Sequence, residues 1–366
     1  MRALDAIAPP HLKLSDDPIG LLVGDPAAAV KRVVVALDAT LEVARAAAGL
    51  GGPTMIVAHH PLVHHPLRTV RADDPIGAVV LACARNNIAV AAAHTNWDVA
   101  RGGINDVLAD LLGLGNTRPL QVTYRAPLVS IAVFVPPGDR DHVFDAMAQA
   151  GAGAIGDYDR CGFFAPGTGT FRPLPGANPH VGEIGRPAFV AEERLEMIAP
   201  ETNAASVVAA MKAAHPYEEV AHFVFPLRNT HAALEHGIGR VGTLASPVLA
   251  ADFLQHVKNA LGFFEVRMVG PGEKNVRTVA VCGGAGAFLM NDAIAAGADA
   301  FVTSDVRHHE FIEASARGLL LLDAGHAQTE TPGTRELARR LAAAFAEQNH
   351  AVPVAFAGPD GVFDPD

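Results

Sequence analysis

Met55-Ile56-Val57-Ala58-His59-His60-Pro61 begins as an apolar run and ends in two imidazoles and a proline. Its length and β-branched content are those of a buried strand, and the proline stops it. Upstream, Val33-Val34-Val35-Ala36-Leu37 is a second such run, followed by a helical pattern over 41–50 that closes at Gly51-Gly52. Downstream, a helix over 77–86 leads to a strand over 88–93, which runs into His94-Thr95-Asn96-Trp97-Asp98. Gly102-Gly103 then precedes a helix over 104–112. Short buried strands alternating with helices predict βαβ units and an α/β fold with a largely parallel sheet.

The pattern changes near residue 128. Strands are expected over 128–135, 190–198 and 222–227, helices over 140–150 and 204–214, a Gly/Thr-rich hairpin over 162–172 and a loop over 173–187. Strand–helix–strand taken twice predicts a ferredoxin-like α+β module. From about Val266 the first style returns, with strands over 278–282, 300–303 and 318–322, the last ending in Asp323. Thr331-Pro332-Gly333 reads as a turn before a helix over 335–347. The expected organisation is one α/β domain formed by 1–128 and 235–366, interrupted by an inserted module over 129–234.

Composition sets limits. Half of the 366 residues are hydrophobic and the formal charge is -11. No Lys/Arg run offsets that charge, which disfavours nucleic acid as a partner. Cys83, Cys161 and Cys282 lie far apart without a Cys-x-x-Cys spacing, as expected of small buried side chains in a reducing compartment. No stretch reads as a signal peptide or reaches the roughly 18 apolar residues of a membrane helix, so a soluble cytoplasmic protein is expected.

The chemistry is carried by the strand ends, where α/β folds gather ligands. His59-His60, His94 to Asp98, Ser304-Asp305 with His308-His309, and Asp323 to Glu330 all fall there. Glu330 follows His326 by four residues, so both can point into one pocket. His59, His60, Asp98, His326 and Glu330 supply five N/O donors. A catalytic zinc takes about three protein ligands, so five point to two divalent ions sharing a carboxylate. Zn, Mn, Fe or Co suits such a set, and availability decides among them. His308 and His309 are read as lining the same crevice, in proton transfer, substrate contact or plain hydrogen bonding. His64-His65, between Pro61 and Pro66, reads as exposed. Gly283-Gly284-Ala285-Gly286 is a tight strand-to-helix turn that, beside a metal pocket, could seat a phosphate.

These segments, with Pro18-Ile19-Gly20-Leu21-Leu22-Val23-Gly24-Asp25, Ala58-His59-His60-Pro61-Leu62, Gly102-Gly103-Ile104-Asn105-Asp106 and Asp323-Ala324-Gly325-His326, resemble the Nif-three-like family of GTP cyclohydrolase 1 type 2 homologues. The resemblance runs over essentially the whole chain. It implies a dinuclear metal centre on the same five residues and a ring-shaped homohexamer, a trimer of dimers. For the long form it also implies a PII/CutA-like insert, matched here by Gly167-Thr168-Gly169-Thr170-Phe171-Arg172-Pro173 and His215-Pro216-Tyr217-Glu218-Glu219. The latter segment invites either a second metal site or a strand-edge turn for subunit contacts. Departures are Thr303-Ser304-Asp305 for a usual Thr-Gly-Asp, His64-His65 for an apolar-basic pair, and Asp16-Asp17-Pro18 for a Trp-Asp-Asn approach to the N-terminal glycine.

The resemblance motivates a nucleotide-like substrate such as GTP, and the residues themselves motivate metal-dependent hydrolysis. The competing expectation is a non-catalytic, metal-binding regulatory ring.

Overall fold

The structure is a computed structural model and describes residues 1–156, 158–229 and 235–363. The chain divides into two compact units, Met1–Thr123 with His236 onward, and Tyr124–Glu235. The expected return point at 234/235 borders residues 230–234, which lie outside the described residues.

In the first unit, α1 (Arg2–Ile7) precedes β1 (Gly20–Val23) and β2 (Arg32–Ala36). Then come α2 (Leu41–Gly49), β3 (Thr54–Ala58), α3 (Pro75–Arg85), β4 (Ile88–Ala92), α4 (Thr95–Val99), α5 (Ile104–Leu111) and β5 (Gly115–Arg125). Thr40 caps α2 by accepting from the Val43 N–H, and Asp74 caps α3 by accepting from Gly77, with Pro75 at the first helical position.

The second unit runs β6 (Leu128–Val135), α6 (Arg140–Gln149), β7 (Phe163–Phe171), β8 (Ala188–Pro200), α7 (Ala204–Ala214), β9 (His222–Leu227). Its four strands form one antiparallel sheet in the order β7-β8-β6-β9. Val129, Ile131, Val133, Leu195 and Met197 pack with Val143, Met147, Val207 and Met211 of the two helices. The expected hairpin over 162–172 is one straight strand instead. β7 pairs with β8 from Phe163↔Glu196 to Phe171↔Ala188, and the loop over 172–187 joins them.

The first unit resumes with β10 (Glu235–Leu249), α8 (Ala250–Leu261), β11 (Arg267–Val269), β12 (Asn275–Val281) and α9 (Met290–Ala295). β13 (Ala300–Thr303), α10 (His308–Ala316), β14 (Leu320–Asp323), α11 (His326–Glu347) and β15 (Val354–Ala357) complete it. This unit corrects the expectation of a single, largely parallel sheet. It holds two mixed sheets, ordered β1-β4-β3-β2-β15 and β11-β14-β13-β12-β10-β5. Each parallel centre is flanked by antiparallel neighbours, β1 on β4, β11 on β14 and β10 on β12. Each sheet also has its own core. Val34, Ile56 and Val90 pack on α2 and α3, whereas Val279, Val302 and Leu322 pack with Leu108 of α5 and Phe253 of α8. Buried apolar runs reveal strands but not which sheet they join. Among the described residues, no helix is long and apolar enough to cross a membrane.

The expected turn at Thr331-Pro332-Gly333 is also corrected, because α11 runs through it without a break. Pro332 removes one helical N–H, yet the surrounding turn is tied in. The Thr334 hydroxyl donates to the Glu330 carbonyl (3.0 Å), and the indole N–H of buried Trp97 donates to the Gly333 carbonyl (3.0 Å). Gly333 is where α11 crosses α5, and a Cβ there would sit 2.7 Å from the Ile104 Cα. Alanine in an ordinary helix interior gains about 1 kcal/mol over glycine. Here overpacking prevails, and Gly333→Ala is expected to destabilise the protein by about 1–3 kcal/mol in urea unfolding. A stabilised variant would show that the two helices separate freely.

Candidate metal centre

Residues from the ends of both sheets meet in one cluster. His59 and His60 follow β3, Asp98 lies in α4 just beyond β4, and His326 and Glu330 occupy the first turns of α11 after β14. His59 is fully buried, Glu330 is 4% exposed and Asp98 is 7% exposed. The Nε2 atoms of His60 and His326 are 3.2 Å apart, and Glu330 Oε2 lies 3.0 and 3.1 Å from them. The other oxygen, Oε1, is 3.7 Å from His59 Nε2, which in turn stands 3.6 Å from Asp98 Oδ1. The Glu330 carboxylate therefore faces two donor groups, one with each oxygen.

The far side of each ring shows how it is set. His59 Nδ1 donates to the Ala93 carbonyl (2.9 Å), His60 Nδ1 to Asp38 (2.8 Å) and His326 Nδ1 to Asp305 (2.6 Å). With Nδ1 protonated, each neutral ring turns an Nε2 lone pair inward. These lone pairs confront those of Glu330 and Asp98, and only a positive charge between them makes the arrangement favourable. Two donors about 2.1 Å from one ion in tetrahedral array lie about 3.4 Å apart, close to the separations found here. His59 Nε2 and Asp98 Oδ1 are sealed from solvent and complete no hydrogen bond. The donor set fits a divalent cation, and His60, His326 and Glu330 form one compact trio that could hold it.

Ionisation follows the same geometry. Burial disfavours the His60 cation, but the bonds to Asp38 and Glu330 outweigh it and lift the pKa to about 10. The Glu330 contact lifts His326 to about 9. His59 is also raised, burial being overcome by the charges of Asp98 and Glu330. Burial raises Asp98 to about 6, while Glu330, ringed by imidazoles, is driven far below the carboxylate range despite its own burial.

His94 belongs to this neighbourhood and was read from sequence only as part of a strand-end segment. Its ring is 5.2 Å from that of His59, and its Nδ1 donates to Asp17 (2.8 Å). Donor atoms of His59, His60 and His94 lie close enough together to share an ion. Asp17 also accepts from the Thr95 backbone N–H (3.0 Å) and hydroxyl, which gives the Asp16-Asp17-Pro18 loop a defined role. No periodicity marks an acid in a loop as a histidine's partner; only its proximity in space reveals it. The same holds for Asp38 and Asp305, single acids that meet His60 and His326 only in the folded chain.

His308 and His309 do not join the cluster. They stand exposed at the start of α10, and no hydrogen bond or ion pair links either to it among the described residues. The His64 and His65 rings are neighbours, with centroids 4.9 Å apart and planes tilted by 56°, and His64 lies 6.5 Å from the His94 ring. The phosphate seat at Gly283-Gly284-Ala285-Gly286 is not supported. The Gly283, Gly284 and Gly286 N–H groups are held by Asn105, Thr329 and Thr303 (2.9, 3.0 and 2.9 Å). The turn is a packing element, since a Cβ on Gly284 would run into the Glu330 carboxylate. Asn105 also donates to the Asp98 carbonyl (2.9 Å), tying that loop to the turn. In the second unit, both His215 nitrogens are engaged, Nε2–H with the Phe134 carbonyl (2.9 Å) and Nδ1 with the Tyr217 N–H (3.1 Å). That leaves His215 no lone pair for a metal.

The profile of the Duf34/NIF3 family (NGG1p interacting factor 3) matches residues 1–359. The chain belongs to this family. A Bacillus subtilis relative named GTP cyclohydrolase 1 type 2 homolog is 40% identical over 326 residues, 89% of this chain and 87% of the relative. A Mycobacterium tuberculosis relative of the same name is 38% identical over 346 residues, 93% and 90% of the two chains. The crystal structure of a Bacillus cereus protein related to NIF3 superposes with a TM-score of 0.89 at 38% identity, covering 97% of this chain and 94% of that one. For a Duf34/NIF3 protein, then, the carboxylate–imidazole cluster joins the two sheet ends within a fold shared with that relative.

Raised histidine pKa values mean that the metal-free cluster carries protons below about pH 9, whereas a metal takes only neutral imidazole. Divalent-metal affinity is therefore expected to rise with pH from 6 to about 10 and then level off. About two protons should be released per cluster filled. Calorimetry in buffers of different ionisation enthalpy reads this directly, and buffer-independent heats would contradict it.

Proposed function

We propose that His59, His60, Asp98, His326 and Glu330 hold two divalent metal ions, Zn, Mn or Fe, and that the protein is a metal-dependent hydrolase of a nucleotide-like substrate. The observation that carries the first part is the Glu330 carboxylate turned with one oxygen to His60 and His326 and the other to His59. When bound, divalent ions lower the pKa of water toward neutrality and polarise the bond attacked. The chain's own groups do the rest. Asp38, Asp305 and the Ala93 carbonyl fix ring orientation and tautomer. The sealed His59–Asp98 side excludes solvent. His94 holds its Nδ1–H on Asp17 and, among the described residues, completes no hydrogen bond through Nε2; where that nitrogen is not taken by an ion it accepts and returns a proton, a role expected from sequence at His308 and His309.

The choice of a nucleotide-like substrate rests on the name borne by relatives about 40% identical. We also propose a homohexameric ring. Exposed Phe264, Phe288 and Ile312 on the metal-bearing unit support burial against further copies. The inserted unit we read as a ferredoxin-like, PII/CutA-like module, on its β-α-β-β-α-β order and antiparallel sheet. The competing reading, a non-catalytic metal-stabilised ring, predicts a different response to the same variants.

Metal-loaded protein incubated with GTP is expected to release formate and bleach the purine chromophore. Asp98→Ala and Glu330→Gln should lower turnover at least a hundredfold while the sedimentation coefficient stays that of the wild type. Absence of turnover with every metal, together with loss of assembly in both variants, would establish the structural reading instead.

A further inference from the structure

Two imidazoles that the cluster leaves unused stand beside it. His64 and His65 lie in the loop between β3 and α3, and both are exposed. Neither is buried in a core, and neither makes a hydrogen bond or ion pair among the described residues. Yet they continue a series of rings that leads inward. Centroids are 4.9 Å apart from His65 to His64 and 6.5 Å from His64 to His94. His94 lies 5.2 Å from His59 and 5.7 Å from His60, and His60 lies 5.1 Å from His326. Exposure falls along the same line, through half-buried His94 and His60 to fully buried His59.

The spacing suits an ion moving from ring to ring. A metal–nitrogen bond of about 2.1 Å puts the ion about 3.2 Å from the ring centre, so two imidazoles sharing it stand about 5–6.5 Å apart. Every step matches that span, with His64 to His94 at its upper end. A buried site also needs a way in. His59 Nε2 and Asp98 Oδ1 are sealed from solvent, so an ion reaching them passes the more exposed imidazoles first.

Ligand number and charge rise along the route. His64 and His65 offer two neutral donors and belong to no compact trio among the described residues. His59, His60 and His94 form one trio, and His60, His326 and Glu330 form a second that shares His60 with it. Two neutral imidazoles hold a transition metal weakly and release it quickly, whereas added donors and a carboxylate retain it.

We propose that His64 and His65 form an outer capture site for divalent transition-metal ions, and that His94 passes each ion from there to the buried donors. This rests on the metal reading of the inner cluster and adds the route by which the cluster fills. Ligands exchange one at a time. The bond to a His64 nitrogen gives way to one with His94 Nε2, and that to one with His59 or His60, without change of oxidation state. Because the outer pair holds the ion only in transit, it speeds loading and release by the same factor and leaves the equilibrium affinity alone.

Stopped-flow mixing of metal-stripped full-length protein with Co2+, followed by its visible absorption, tests this. In the double variant His64→Ala/His65→Ala, loading should slow at least fivefold and release into EDTA by the same factor. Its Kd and final absorption should stay within twofold of the wild type. Loading of the variant at the wild-type rate would overturn the route alone, while no Co2+ uptake by the wild type would overturn the metal reading with it. Weakened affinity with faster release would make the pair resident ligands and also overturn the relay. Should the double variant lose its circular dichroism, His64→Gln/His65→Gln, which keeps polar side chains in the loop, carries the same test.

Discussion

The arrangement depends on a conflict of lone pairs around Glu330. Three imidazoles point Nε2 at one carboxylate because their Nδ1 hydrogens are held by Ala93, Asp38 and Asp305. Left neutral and empty, those atoms would repel, so the pocket takes up protons or a cation. Gly284 stands where any side chain would displace the carboxylate, and Thr329 and Asn105 pin the glycine turn.

Packing then holds the two sheets to this point. α11 supplies His326 and Glu330 from its first turns and crosses α5 at Gly333, where the helices nearly touch. Trp97, one residue from Asp98, reaches the same turn of α11 through its indole N–H. Arg240 of β10, almost wholly buried, forms a two-pronged pair with Asp106 of α5, so the helix that meets α11 is also anchored to the second sheet. Residues that do no chemistry thus fix the distance between those that do.

Much of this was legible in the chain. Apolar runs ending in His59-His60 and in Asp323 gave the strands β3 and β14, since a buried strand and a polar stop leave a plain pattern. The five donors can be grouped from the chain alone because each occupies a strand end or the element that follows it. Their partners did not, since Asp17, Asp38 and Asp305 are single acids in loops with no period. Sheet membership was also hidden. β5 and β10 are long and only partly buried, so their mixed polarity resembles loop. The continuity of α11 through Pro332 depends on Trp97, more than two hundred residues distant. Local propensity at Thr331-Pro332-Gly333 carries no trace of it.

One feature of the cluster bears on how the protein matures. His60 and His326 touch although 266 positions separate them. A ribosome adds 266 further residues after His60 before His326 emerges. A nascent or prematurely terminated chain exposes a bare histidine pair and nothing to close over it. A fragment ending before α11 lacks His326 and Glu330 and cannot form the carboxylate–imidazole cluster.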